Sequence, residues 1–166
     1  MNDAYRVAPF ADVHYFADTK WWEWHKNKDE FKAFAGERST IFNTGAMIDD
    51  PEVHMLRNLG SEGMSTDASG LHTGSNSGHQ AVNIAFLAGA KRIVLLGFDA
   101  KRASGKTHYF GDHPDNTQAP YDHMIYNFKK AAPFFTEQGV EVINATPGSA
   151  IQCFKKVSLL HALEAT

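Results

Sequence analysis

One stretch of sequence, residues 73–99, decides the fold, and it reads TGSNSGHQAVNIAFLAGAKRIVLLGFD. Its first residues are small and polar, as in a turn that leads into a helix, and several of them carry side chains that cap helices. Apolar and small residues then recur at helical spacing up to Gly89, which predicts a helix that ends there. The apolar run IVLL that follows is typical of a strand covered on both faces, so residues 92–97 are a predicted strand.

The rest of the chain continues this alternation. Strands are predicted at residues 11–17, 39–43, 52–56 and 140–143, and helices at 19–34, 121–138 and 157–163. Pro133 is expected to kink or restart the second of these helices. Strands that alternate with helices indicate an α/β fold, here a three-layer Rossmann-like sandwich with a mostly parallel sheet. We expect strands 13–17, 92–97 and 140–143 to share that central sheet, and residues 1–166 to form one domain.

Composition limits the function classes. Lys and Arg number 16 against 19 Asp and Glu, and basic residues form no dense tract, so neither nucleic acid nor a membrane surface is an expected partner. The single cysteine, Cys153, cannot form an internal disulfide or a cysteine-rich zinc motif. No signal peptide and no membrane-length apolar run stand out in the sequence, and we therefore expect a cytoplasmic protein.

The start of the helix within residues 73–99 is a candidate anion site. Backbone N–H groups of a first helical turn have no intrahelical partner, and the helix dipole favours negative charge there. The amides of Ser77 and Gly78, with Ser75 beside them, would hold a phosphate or a carboxylate. The alternative is that Ser75 or Ser77 only caps a structural helix.

Asp99 stands at the carboxyl end of the central strand, where open α/β sheets bind their ligands. Its carboxylate would either face a ligand or form an Asx turn that leaves the strand. The loop that follows contains His108, Asp112 and His113. An imidazole titrates near neutral pH, so His108 or His113 is a candidate proton-transfer residue that Asp99 would orient.

Other interpretations of these histidines stay open. The loop side chains could bind a metal, but two histidines in a loop have no fixed facial geometry, and we assign no metal ligand. They could also stabilise the loop through hydrogen bonds alone. His72 and His79 flank the central loop and are further candidate contacts. The long polar connections at residues 60–78 and 100–119 would close over a ligand.

Residues 77–99 and 105–114 resemble a phage-encoded family of uncharacterised Rossmann-like proteins, and this resemblance extends over nearly the whole chain. In those blocks, and in residues 1–5 and 11–18, the chain is also similar to MptE-like (6-hydroxymethylpterin diphosphokinase-like) proteins and bacterial family 42 sialyltransferases. The sialyltransferase resemblance implies that Ser77, Gly78 and Asn2 help to hold a nucleotide donor. It also implies a histidine general base, for which His108 or His113 is the approximate counterpart.

The chain departs from these relatives at its start. They begin with a strand and a Gly-x-Gly-Pro-Ser-like turn that approaches the nucleotide, whereas this sequence starts at Met1, after that element. Either the true start lies upstream, or the protein has lost that half of the nucleotide pocket, or another chain fills the gap. If the sequence is complete as written, the fold lacks the first strand of its relatives, and an apolar sheet edge or groove is left beside residues 13–17. Exposed edges of that kind are usually paired or covered, which predicts a homo-oligomer. The tryptophans within residues 21–24 are candidates for the same surface.

Three function classes remain open on the sequence. The first is a nucleotide- or nucleotide-sugar-dependent transferase that moves a glycosyl or pyrophosphoryl group, with the nucleotide or nucleotide sugar as co-substrate. The second is a non-catalytic protein of phage origin that binds a small anionic ligand or acts in assembly. The third is a metal-assisted hydrolase built on Asp99, His108 and His113.

Overall fold

The computed structural model describes residues 1–42, 48–101 and 121–164. The chain starts with a 3₁₀-helix over Asn2–Arg6. The strands are β1 Val13–Phe16, β2 Glu37–Ile41, β3 Val53–Gly60, β4 Gly70–His72, β5 Arg92–Leu95, β6 Glu141–Asn144 and β7 Lys155–Lys156. The helices are α1 Thr19–His25, α2 Asp29–Lys32, α3 Ser77–Leu87, α4 Tyr121–Glu137 and α5 Leu159–Glu164.

The strands form two parallel sheets. One has the order β1-β2-β3-β4 and the other the order β5-β6-β7, and every strand pair in both runs parallel. The predicted α/β class with a mostly parallel sheet is confirmed. The strands do not all share one ladder, however: β1 belongs to the first sheet and β5 and β6 to the second, and no ladder joins β1 to β5 in the described residues.

Helix α3 holds the two sheets together. On one flank, Ile84 and Leu87 pack against the first sheet around Tyr15. On the other, Val82 belongs to the apolar cluster of the second sheet, together with Ile93. The first sheet therefore extends outward from β1 and the second outward from β5, and α3 contacts both strands. Such a change in strand order is where open α/β sheets form ligand crevices, at the carboxyl ends of the strands.

Three local predictions need correction. The helix expected at residues 19–34 is two helices, because α1 ends at His25 and α2 starts at Asp29, with the poor helix former Asn27 between them. The connection expected at residues 60–78 contains β4. Helix α4 continues through Pro133 and does not restart there, and this proline is exposed, so water can satisfy the carbonyl that its ring leaves unpaired.

The tryptophans of α1 are mainly core residues. Trp21 and Trp22 are buried among Phe16 and Phe31 in an aromatic cluster, and only Trp24 is partly exposed. The expectation that these tryptophans supply an association surface is therefore wrong for Trp21 and Trp22. None of the helices in residues 1–42, 48–101 and 121–164 has the length and apolar character needed to cross a membrane.

Candidate functional site

The structure describes five of the predicted site residues. These are Asn2, Ser75, Ser77, Gly78 and Asp99. His108, Asp112 and His113 lie within residues 102–120, outside the described residues, so their predicted role in proton transfer stays a prediction. The described residues allow the anion-binding half of the predicted site to be examined.

Asn76, and not a serine, caps α3. Its backbone is extended, and its Oδ1 accepts a hydrogen bond of 2.7 Å from the His79 amide. Ser75 precedes it with a left-handed φ of 57° and an exposed side chain. Ser77 is the first residue of the helix. The cap is therefore neither Ser75 nor Ser77, and neither serine hydroxyl bonds to another residue within the described ranges.

Two amides remain at the start of α3. The His79 amide bonds to the cap, and the Gln80 amide bonds to the Asn76 carbonyl at 3.3 Å. The amides of Ser77 and Gly78 have no hydrogen-bond partner among the described residues. Adjacent free N–H groups at a helix start suit an anionic oxygen, because the helix dipole adds to their hydrogen bonds.

Three distant parts of the chain meet at Gly78. A Cβ placed on Gly78 would lie 2.9 Å from Cε1 of Phe98, 3.1 Å from Oδ1 of Asn76 and 3.5 Å from Cε of Met1. Phe98 follows β5, and Met1 is the first residue of the chain. A side chain at this position would have to displace the Phe98 ring, and the close approach brings the start of the chain and the end of β5 next to Gly78.

Asn2 lies next to this contact with a left-handed φ of 47°. Its carbonyl oxygen is 2.6 Å from Nε2 of the buried His14, which fixes the backbone. Its side-chain Oδ1 is buried and lacks a hydrogen-bond partner in the described part of the chain. A buried amide oxygen without a partner is costly and is rare in native structures, so Asn2 Oδ1 is an unsatisfied polar atom near the start of α3.

A polar cluster after β6 holds the segment that leaves β5. The Phe98 amide donates to Oγ1 of Thr146 at 2.9 Å, and Oγ of Ser149 donates to the Phe98 carbonyl at 2.6 Å. Asn144 donates to Ser149 in turn at 3.0 Å, and the Asp99 carbonyl accepts from the Ala150 amide at 2.8 Å. The backbone that carries Asp99 is therefore rigidly placed, one residue or about 3.8 Å beyond Phe98.

Sequence reasoning did not find this cluster, nor two lysines beside it. Lys156 donates from Nζ to the Ser149 carbonyl at 2.6 Å. Lys101 is exposed, and its Nζ lies 3.3 Å from the position of a Cβ on Gly148. Both cations lie at the carboxyl edge of the second sheet. The polar residues that directly follow a buried strand could have indicated this edge in the sequence.

Side-chain hydrogen bonds and close packing fix the turn that precedes α3. The Gly74 carbonyl accepts 2.6 Å and 2.9 Å hydrogen bonds from the side-chain amides of Asn127 and Asn76. A Cβ on Gly74 would collide with the His79 ring. His79 is fully buried, its ring nitrogens have no partner among the residues described, and burial lowers its pKa to about 4. His79 is thus a buried residue under the turn, and its role as a ligand contact stays a prediction.

The metal hypothesis rests on His108 and His113, which lie outside the described residues. Within the described ranges there is no cluster of three His, Cys, Asp or Glu side chains close enough to hold an ion. Two open clefts, of about 470 and 410 Å³, lie elsewhere: one is lined by residues such as Pro133 and Cys153, the other by residues such as Trp22 and Asp50. Comparisons of the chain with models of protein families, with curated proteins and with solved structures found no match.

Proposed function

We propose that this protein binds a nucleotide or a nucleotide sugar at the start of α3. The single observation that carries the proposal is the meeting of Met1, Phe98 and Gly78 at two free helix amides, where the two sheets diverge. The proposal does not depend on residues 102–120, because each of these groups belongs to the described part of the chain.

The surrounding chemistry suits the parts of such a ligand. The amides of Ser77 and Gly78 would hold a phosphate oxygen, with the exposed Lys101 as a further source of positive charge. The ring of Phe98 lies against the same glycine and offers an aromatic surface to a base or a sugar. The unpartnered Oδ1 of Asn2 would accept from a ligand hydroxyl or amine.

As an enzyme, the protein would be a transferase that moves a glycosyl or a pyrophosphoryl group from this donor. His108 or His113 would take the proton from the acceptor hydroxyl, and Asp99 would orient the imidazole or bind a hydroxyl. The resemblance of Ser77, Gly78 and Asn2 to donor-binding positions of sialyltransferases supports this class. Asp99→Asn and His108→Ala test the chemistry, because both variants should retain ligand binding and lose turnover.

A negative charge introduced at the start of α3 tests the binding proposal. Ser77→Asp puts a carboxylate in the first turn of α3, where it stabilises the helix through the dipole by about 0.3–1 kcal/mol but repels an anionic ligand. Thermal unfolding should therefore show an equal or higher melting temperature without ligand, and a smaller shift with cytidine or uridine nucleotides and their sugar conjugates. Ser77→Ala is the neutral control.

A second pair of variants tests the location. Lys101→Ala should weaken binding of the same nucleotides, whereas Lys91→Ala, at the amino end of β5, should not. Inorganic phosphate alone distinguishes recognition of the whole nucleotide from simple anion binding. If none of the nucleotides or nucleotide sugars shifts the melting temperature of the wild-type protein, the proposal is wrong and a non-catalytic assembly role becomes the better explanation.

A further inference from the structure

An open cleft of about 470 Å³ lies between the second half of helix α4 and the start of β6. Val140, Glu141 and Val142 line it, and they belong to the amino end of the strand. The cleft is therefore at the opposite edge of the second sheet from Asp99 and is separate from the proposed nucleotide site. Its volume falls within the usual range of small-molecule sites.

The inner wall of this cleft is apolar and firmly packed. Phe135, Val142 and Phe154 line the cleft, and all three belong to the buried cluster of the second sheet. The short side chain of Ala132 and the ring of Pro133 form the wall on the α4 side. The cleft thus offers a preformed surface to an apolar group, which is the usual character of a small-molecule site.

One backbone donor of β6 is left unpaired beside this wall. The amides of Glu141 and Ala145 bond to carbonyls at the two ends of β5, so the alternate residue Val142 directs its amide to the other side of the strand. Strand β7 pairs with β6 only from Ile143 onward. The Val142 amide has no hydrogen-bond partner among the described residues, and an unpaired N–H of a buried residue favours an acceptor from a ligand.

The charges around the cleft favour an anionic acceptor. The exposed lysines Lys129 and Lys155 both line it. Glu141 is the one acidic residue of the described lining, and its Oε2 lies 3.1 Å from Nε of Arg92, which balances its charge. The described lining therefore carries a net positive charge next to an apolar wall.

We infer that this cleft binds a small carboxylate with an apolar body, of the arylalkanoate or short acyl type. The apolar body lies against Phe135, Val142 and Phe154. The carboxylate accepts a charge-assisted hydrogen bond from the Val142 amide and pairs with the ammonium groups of Lys129 and Lys155. Such a ligand satisfies the backbone donor that the short β7 leaves unpaired.

Cys153 reports occupancy of the cleft, because it lines the cleft and is the single cysteine of the chain. Burial raises the pKa of its thiol, so alkylation by iodoacetamide is followed above neutral pH. Phenylpropionate at about ten times its dissociation constant should slow this alkylation about tenfold, since only the unoccupied protein reacts. Octanoate should protect in the same way, whereas the neutral phenylpropanol at the same concentration should protect much less. The Val142 amide resonance should shift during the phenylpropionate titration.

Two neighbouring lysines of α4 provide the matched variants. Lys129→Gln should weaken phenylpropionate binding about two- to fivefold, the usual effect of losing an exposed ion pair. Lys130→Gln should leave binding unchanged, because Lys130 lies outside the cleft, with its Nζ 5.5 Å from the centre of the Tyr126 ring. Failure of both carboxylates to protect Cys153 at millimolar concentration overturns the inference. Equal protection by phenylpropanol, or equal weakening in the two lysine variants, also overturns it.

Discussion

Gly74 is the residue at which backbone conformation and packing constrain the candidate site together. Its φ of 51° lies in the left-handed region, and its Cα faces the buried His79 ring so closely that a Cβ has no room. Its carbonyl is held by two asparagine side chains. The turn that presents Ser75 and the free amides of α3 therefore has a single backbone conformation.

Gly74→Ala should be strongly destabilising. The left-handed φ alone costs an alanine about 1 kcal/mol, and the collision with His79 adds an overpacking cost of about 1–3 kcal/mol. Gly89→Ala is the matched control, since Gly89 has a φ of 87° and no other atom near its Cβ position. The difference in unfolding free energy between the two variants, measured by urea unfolding, gives the cost of the collision with His79. Equal losses in both variants would contradict this packing.

At the residue scale, the sequence predicted the capped helix start but not the capping residue. Ser75, Asn76 and Ser77 are all good caps by type. Asn76 takes the role because Gly74 and Ser75 both adopt left-handed φ values, and Asn127, which is 53 positions away from Gly74, fixes that turn. Because Asn127 is so distant in sequence, nothing in the turn itself predicts which residue caps the helix.

Among the elements, β4 depends on a side chain of α3. Asn83 is fully buried, and its Oδ1 accepts from the amides of Ser65 and His72 at 2.9 and 3.3 Å, while its Nδ2 donates to the Ser65 carbonyl at 2.9 Å. One residue thus satisfies three backbone groups, two before β4 at Ser65 and one at its last residue, His72. The strand has only three residues, among glycines and serines, so its own sequence predicts a loop.

Asn83→Ala should therefore weaken this region more than an ordinary polar substitution. It leaves two buried backbone groups of Ser65 and the part-buried His72 amide without their partners, for a loss of about 2–5 kcal/mol in unfolding free energy. Asn58→Ala removes one exposed side-chain bond to the Gly60 amide and should cost less than about 1 kcal/mol. Hydrogen exchange should also become faster at Leu71 in Asn83→Ala. Unchanged protection there would mean that β4 forms without the Asn83 side chain.

For the whole molecule, the α/β class was predictable and the division into two sheets was not. Apolar strand runs and helical spacing are local patterns, so β1, β5, β6 and α3 were visible in the sequence. Which strands pair depends on contacts between distant segments. Helix α3 packs against both sheets, and its sequence does not reveal this. Val82 and Ile84 are both apolar, but Val82 packs in the cluster of the second sheet and Ile84 in that of the first.

Buried neutral histidines make the stability of the fold depend on pH. His14 and His79 are 2% and 0% exposed, and burial lowers the pKa of each to about 4. Burial also lowers the pKa of His25, although the nearby Asp3 carboxylate acts in the opposite direction. All three lie against α1, the 3₁₀-helix or α3, so protonating them opposes the packing that places Asn2 and the turn before α3.

Stability should be greatest above the unfolded-state histidine pKa of about 6.5 and should fall as pH drops toward about 4. The unfolding free energy falls as pH drops because the unfolded chain binds protons that the folded chain excludes. Each of His14 and His79 contributes up to about 3 kcal/mol to this loss. His79→Leu removes one such group, so its unfolding free energy should fall less steeply over this range. His54→Gln, at an exposed position, should keep the wild-type profile. Urea unfolding at several pH values measures this, and parallel wild-type and His79→Leu curves would exclude His79 as an acid-sensitive group.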